Sequence, residues 1–110
     1  MEHIKMVRGD TLAFGVEIEG NTQELDTAFF SVKQNKDDTD YFFQKSLDDG
    51  ISLVSTGENS ITYRVRVAPE NTENMEPGNY YYDLEIGLND DIFTVLRGIL
   101  TIEHDVTRRE

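Results

Sequence analysis

The sequence predicts one all-β domain, built as an antiparallel sandwich or a small barrel. Apolar and polar residues alternate along several runs with a period of two, the spacing of side chains on half-buried strands. Clusters of Gly, Asn and Asp separate these runs about every ten residues, as turns do in sandwiches and barrels. No segment keeps the 3.6-residue period of a helix. A chain of 110 residues supports one core of useful size and not two.

The clearest strand has Leu12, Phe14, Val16 and Ile18 on one face and mostly polar or small residues on the other. The same alternation is found in residues 28–32, 61–67 and 80–86, and residues 92–103 form a longer run that is more densely apolar. Shorter candidate strands are residues 4–7, 41–44 and 51–54.

Two positions interrupt this pattern. Gly98 lies within the long last run, where a glycine predicts a bulge or bend that divides the strand. Pro69 suits the first turn of a helix, so residues 69–75 predict a short helical turn that closes before Pro77. The interpretation is therefore seven to nine strands with one helical turn. The predicted core side chains are Leu12, Phe14, Val16, Ile18, Phe30, Val32, Ile61, Tyr63, Val65, Tyr82, Leu84, Ile86, Leu96 and Leu100.

Composition excludes several classes of function. With 22 acidic and 10 basic residues, the net charge is −12, which repels nucleic acid and anionic membranes. The absence of cysteine excludes disulfides, thiolate metal sites and a cysteine nucleophile. The sequence has no apolar run long enough for a membrane span and no signal-peptide core at its start. We expect synthesis in the cytoplasm, one domain over residues 1–103, and a flexible tail over 104–110.

Catalytic and metal-binding patterns are weakly represented. His3 and His104 lie near opposite ends of the chain and would meet only if the first and last strands paired. Neither belongs to a nucleophile motif, so no enzyme activity is predicted. Carboxylates cluster in three turn regions, and such clusters can bind calcium. They lack EF-hand spacing, and we interpret them as solvated loops with no metal or cofactor. The clusters are Asp37, Asp38 and Asp40; Asp48 and Asp49; and Asp90 and Asp91.

Arg8-Gly9-Asp10 matches the tripeptide that integrins recognise. An integrin ligand stands on an exposed, mobile loop, whereas this tripeptide lies between two predicted strands. We interpret it as a kink, in which Gly9 supplies the unusual backbone angles.

Aromatic side chains on polar strand faces are the candidate binding residues. Phe29, Tyr41 and Tyr81 fall on these faces, and Phe43 is considered with them. Exposed aromatic side chains anchor protein interfaces or stack on sugars. For a small acidic sandwich we favour a protein interface over a sugar site.

The most specific segment is residues 75–86, with a Gly-x-Tyr-x-Tyr strand entry at Gly78. It resembles the penultimate strand of immunoglobulin-like sandwiches, in which a tyrosine hydroxyl closes a corner between the sheets. The resemblance implies that Tyr80 or Tyr82 is buried and bonded to the backbone near residues 69–75.

The order of the motifs resembles that of small immunoglobulin-like proteins of phage and prophage tails, including the N-terminal domain of phage baseplate upper proteins. The matching motifs are Arg8-Gly9-Asp10-Thr11, Leu25-Asp26, Phe30-Ser31-Val32-Lys33 and the Gly-x-Tyr-x-Tyr-Asp entry. This resemblance implies an immunoglobulin-like antiparallel β-sandwich that serves as a non-catalytic structural part of a virion tail or baseplate. Its partners would be other virion proteins and further copies of itself, and its final location the virion. The alternative is a module that binds carbohydrate or a host-surface ligand.

Overall fold

The computed structural model of the chain describes residues 2–35 and 37–106, and for Glu2 only the backbone. Strands make up 63% of the structure and helix 4%, which confirms an all-β fold with seven to nine strands and one helical turn. The strands are β1 (Glu2–Val7), β2 (Leu12–Glu19), β3 (Thr27–Lys33), β4 (Phe43–Leu47), β5 (Gly50–Thr56), β6 (Ser60–Val67), β7 (Gly78–Leu88) and β8 (Asp91–Glu103). The helix α1 (Pro69–Thr72) lies between β6 and β7.

The strands form one curled sheet in the order β1-β8-β7-β3-β4-β5-β6-β2. Its weakest junction joins β4 and β5 in parallel, with Ser46 opposite Gly50 and Leu47 opposite Ile51. This junction divides the sheet into a five-stranded half, β1-β8-β7-β3-β4, and a three-stranded half, β5-β6-β2. The halves face each other across the core, where the rings of Phe14 on β2 and Phe30 on β3 have centroids 5.6 Å apart.

The predicted core side chains all contribute to this interior. Most are fully buried, and the five that are only partly buried still pack against the core: Leu12, Phe14, Val16, Ile18 and Leu96. The core also contains buried side chains outside the predicted set: Met6, Leu25, Ala28, Phe43, Ile51, Val67, Met75, Tyr80 and Ile102.

The bulge expected at Gly98 lies elsewhere. Leu84 of β7 is opposite Leu96, and Glu85 is opposite Thr94, so Val95 is the extra residue. Gly98 is in the regular ladder between β7 and β1. An extra residue there would disturb two ladders, whereas at Val95 it disturbs the ladder with β7 alone, because β1 reaches only to Gly98. Bulges are accordingly common where a strand lies at a sheet edge.

The predicted tyrosine corner is present. Tyr80 is buried, and its hydroxyl donates a 2.6 Å hydrogen bond to the carbonyl oxygen of Glu76, directly after the helical-turn region. Burial, and secondarily the nearby charge of Glu76, raises the pKa of the Tyr80 phenol. A second buried phenol links the two halves: the hydroxyl of Tyr63 on β6 accepts a 2.9 Å hydrogen bond from the amide of Leu25, which precedes β3.

The turn from β1 to β2 contains the Arg8-Gly9-Asp10 tripeptide and is a fixed kink, as predicted. Gly9 has a φ of 80°, and its buried amide donates to the hydroxyl of Thr72, at 2.9 Å. The Arg8 guanidinium binds the Asp105 carboxylate, with Nε and Nη2 at 2.9 and 2.8 Å from Oδ1. This ion pair attaches the turn to the segment that follows β8.

Asp105 belongs to the predicted tail 104–110, of which residues 107–110 lie outside the described residues. Within the described ranges, no helix has the length and apolar character needed to cross a membrane.

Candidate functional site

The first candidate surface is a pair of tyrosines around Lys33 on the outer face of the five-stranded half. Lys33 ends β3 and lies opposite Tyr81 on β7. Its ammonium is also 5.8 Å from the ring centroid of Tyr41, in the segment between β3 and β4, a distance typical of a cation–π contact. Tyr41 and Tyr81 are 48% and 38% exposed. The structure therefore gathers two of the three predicted interface residues around one cation, and we call these three residues the tyrosine patch.

Phe29 is not part of the tyrosine patch. It lies on the same strand as Lys33 and faces Glu85 and Ser46 on the neighbouring strands. Lys33 is four positions further along β3, roughly 13 Å away at ~3.3 Å per residue. Phe43 belongs to the core: it is buried and packs against Phe30, with ring centroids 6.3 Å apart. Its placement on a polar face was wrong, because β4 begins at Phe43 and its first side chain points inward.

A depression of about 420 Å³ adjoins the tyrosine patch. Its polar lining combines the Tyr81 phenol and the Ser31 hydroxyl with the charges of Lys33, Asp83 and Arg97. Asp83 is flanked across the strands by Ser31 and Arg97. An aromatic face beside hydrogen-bonding groups of both charges can contact a polar ligand such as a sugar.

The second candidate surface is the free end of the β7–β8 hairpin, which sequence analysis did not single out. Here Ile92, Phe93 and Val95 are 61%, 49% and 37% exposed; we call these three side chains the β8 tip. Asn89 and Asp90 make the hairpin turn with positive φ angles of 53° and 69°, as a type I′ turn requires.

The β8 tip is exposed because the neighbouring strands stop short of it. β3 begins at Thr27, opposite Gly87 of β7, and β1 begins opposite Gly98 of β8. From Asp91 to Arg97, β8 therefore pairs with β7 alone among the described residues. The dense apolar pattern of residues 92–103 predicted a strand correctly, but the lengths of the neighbouring strands leave Ile92, Phe93 and Val95 outside the core.

The candidate catalytic and metal-binding residues are not brought together. β1 and β8 do pair, but in parallel, so His3 lies opposite Ile99 while His104 follows Glu103 at the other end of the pair. His3 Nε2 is 2.6 Å from the Thr101 hydroxyl. Over residues 2–35 and 37–106, no three His, Cys, Asp or Glu side chains are arranged to hold a metal ion.

No protein-family model matches the chain, and no curated protein matches it significantly. The resemblance to phage tail and baseplate proteins accordingly rests on the residue patterns described above.

Proposed function

We propose that this protein is a non-catalytic assembly domain that acts through protein–protein contacts in the tail or baseplate of a phage or prophage virion. The virion location is supported by the Arg8-Gly9-Asp10-Thr11 turn and the Gly-x-Tyr-x-Tyr entry of β7, whose order resembles that of phage tail proteins. On this proposal the chain is made in the bacterial cytoplasm and incorporated into the particle.

The β8 tip is the observation that carries the assembly proposal. Its three apolar side chains lie exposed within four residues, with Ile92 opposite Gly87 and Phe93 opposite Ile86, so the apolar surface extends over both faces of the hairpin end. Large exposed apolar side chains mark interaction sites. Covering them contributes about 25 cal/mol per Å², from which the costs of association are subtracted. β8 itself carries little charge: residues 91–102 contain one acidic and one basic residue, Asp91 and Arg97. Carboxylates still flank the tip, at Asp90 in the turn and at Glu85 opposite Thr94, so the attraction of a partner must come from the apolar side chains.

Purified particles of the phage that encodes the chain provide the test. Peptide mass spectrometry should find the protein in the particles, and Phe93→Ser should reduce its incorporation. Val54→Ser is the control, because Val54 is also a large apolar residue on the surface, 58% exposed against 49% for Phe93, but lies on β5. Particles that lack the wild-type protein would exclude the virion role. Equal incorporation of the two variants would exclude the β8 tip as the contact.

The depression beside Tyr81 favours a second candidate function, binding of a carbohydrate or host-surface glycan. A glycan array probed with the wild type and with Tyr81→Ala tests it. Hits that disappear with Tyr81→Ala support this function, because the aromatic face is the stacking surface for a sugar ring. An array without wild-type hits, or hits that persist in the variant, contradicts it.

A further inference from the structure

The free edge of β2 carries a further inference. Among the described residues β2 pairs with β6 alone, which leaves its other side open from Leu12 to Glu19. Its ladder with β6 has no register shift, and the strand contains no proline. Proteins usually protect an edge of this length with a bulge, a proline or a covering loop.

The apolar row on β2 is less covered than the row beside it on β6. Each inward side chain of β2 lies opposite a fully buried one of β6, although the β2 member is itself only half-buried. The pairs are Leu12 and Val67, Phe14 and Val65, Val16 and Tyr63, and Ile18 and Ile61. Residues at equal depth in the sheet thus differ in burial, because β6 has a neighbour on each side and β2 has one.

The open side of β2 presents the backbone groups of its odd-numbered residues. The Gly20 amide donates to the carbonyl of Asn59 at 2.8 Å, which continues the β2–β6 ladder by one step. In antiparallel ladders the directly bonded pairs alternate, so the even-numbered residues of β2 bond to β6. The amides and carbonyls of Ala13, Gly15 and Glu17 therefore point away from β6.

We propose that this edge pairs with β2 of a second copy of the chain, antiparallel and centred on Gly15. In this register Gly15 lies opposite Gly15 of the second copy and Ala13 opposite Glu17, and these three residues of each copy exchange about six backbone hydrogen bonds. On the core side, Phe14 of one copy lies opposite Val16 of the other, and Leu12 opposite Ile18. The half-buried apolar side chains of both copies therefore become more buried. The inference rests on the proposed assembly function and assigns it a self-contact separate from the β8 tip.

The charges on β2 permit a second copy in this register and disfavour the neighbouring one. Glu17 and Glu19 are the charged residues of β2; the register sets Glu17 opposite Ala13 and Glu19 opposite Thr11. A register centred on Glu17 would instead place two carboxylates face to face, which is destabilising. The net charge of −12 on each copy still opposes association at a distance. Salt screens that repulsion, over a Debye length of about 10 Å at 0.1 M, so the dimer should tighten as salt increases.

Sedimentation at low and high salt tests the proposal with a matched pair of variants, Gly15→Pro and Gly15→Ala. Because the Gly15 amide faces the open side, proline removes no bond to β6 and blocks the new ladder. Alanine keeps the amide, and its Cβ would meet only Tyr63 O and Thr62 Cγ2, at 3.9 and 4.0 Å. We expect wild type and Gly15→Ala to dimerise alike, with Gly15→Pro weaker by roughly tenfold or more.

A second variant, Gly15→Glu, guards against a folding defect in the proline variant. In its own sheet the new carboxylate lies opposite Arg64, which suits the monomer, whereas in the dimer two carboxylates meet at the axis. It should dimerise more weakly than Gly15→Ala, most clearly at low salt.

The outcomes separate this proposal from the assembly function. A dimer unaffected by Gly15→Pro and Gly15→Glu but lost in Phe93→Ser overturns the β2 contact and supports the β8 tip. Pairing of β2 with a different protein, with a monomeric wild type at every salt, also overturns it. The mass-spectrometry test on purified particles would then decide, without reference to the β2 edge, whether the chain has an assembly function. A dimer that needs the β2 edge, in a protein absent from particles, sustains the contact and removes the virion role.

Discussion

The β2 edge and the β8 tip are both stretches of strand with an open side, yet they present different chemistry. β2 is regular, and its apolar side chains lean on the core, with Phe14 packed edge-on against Phe30. It therefore offers mainly backbone groups. β8 is bulged at Val95 and offers side chains that lie beyond the core. A bulge bends and twists an edge away from further strand pairing, so we expect β2 to recognise a strand and the β8 tip to recognise an apolar surface.

The largest expected difference between the two regions is in the free energy of unfolding. Phe14→Ala should cost about 2–3 kcal/mol, below the 3–5 of a fully buried phenylalanine because Phe14 is half-buried. Phe93→Ala should cost less than about 1 kcal/mol, since Phe93 is 49% exposed and lies outside the core. Urea unfolding of both variants at low protein concentration checks this. Equal costs would show that the β8 tip supports the fold as much as β2 does.

A smaller difference concerns two buried tyrosine hydroxyls, one on the strand that pairs with β2 and one on the strand that pairs with β8. Tyr63 lies opposite Val16 of β2, and Tyr80 lies opposite Leu100 of β8. Tyr63→Phe leaves the buried amide of Leu25 without its acceptor and should cost about 1–3 kcal/mol. Tyr80→Phe frees the carbonyl of the exposed residue Glu76, which water can satisfy, so about 1 kcal/mol is expected. Thermal unfolding of both variants measures the difference. Tyr81→Phe, on the outer face, is the control and should leave the midpoint unchanged.

Deleting Val95 should make the open side of β8 as regular as that of β2. The deletion brings Leu96 and Thr94 next to each other while each keeps its partner on β7, Leu84 and Glu85, so the ladder becomes regular. Without the bulge the open side of β8 is flatter and better able to pair with another strand. Sedimentation should then show stronger self-association than in the wild type. Unchanged association would mean that the bulge does not protect this edge.

The smallest expected effect concerns the ion pair that joins the β1–β2 turn to the end of β8. The hydrogen bond from Arg8 lowers the pKa of the Asp105 carboxyl below its ordinary value of 3.8. A carboxyl whose pKa is lowered by folding stabilises the fold above the ordinary value, and this contribution is lost as the pH falls through the lowered pKa. Asp105→Asn should therefore be less stable than the wild type near neutral pH and equally stable in strong acid. Urea unfolding at both pH values checks this, and a constant difference would contradict it.

Much of the fold could be predicted from alternation alone. Residues 12–18 and 61–67 show a clean period of two, and both are strands whose predicted side chains face the core. The corner at Tyr80 could be predicted because the Gly-x-Tyr-x-Tyr entry is specific and a buried phenol needs a partner.

The candidate site was harder to predict because it depends on which strands end where. Tyr41 and Tyr81 could be named as exposed aromatics, but their meeting at Lys33 follows from the β3–β7 register. Ile92 and Phe93 have the same sequence pattern as core residues, and only the early ends of β1 and β3 expose them. The parallel pairing of β1 and β8 likewise places His3 and His104 at opposite ends of the pair. The alternation of apolar and polar residues does not show whether two strands pair in parallel or antiparallel.

The pairing of the first strand with the last also has a consequence for how the chain folds. The β7–β8 hairpin closes through a turn of two residues and forms from local contacts, whereas β1 and β8 come from opposite ends of the chain. Contacts between distant segments are slow to form, because the closure entropy of the intervening loop opposes them. We expect β1 to dock late, which leaves the open side of β8 unprotected along its full length during folding. Newly made chains are therefore most exposed to mispairing in the interval before β1 docks, and a high local concentration of copies would make mispairing more frequent.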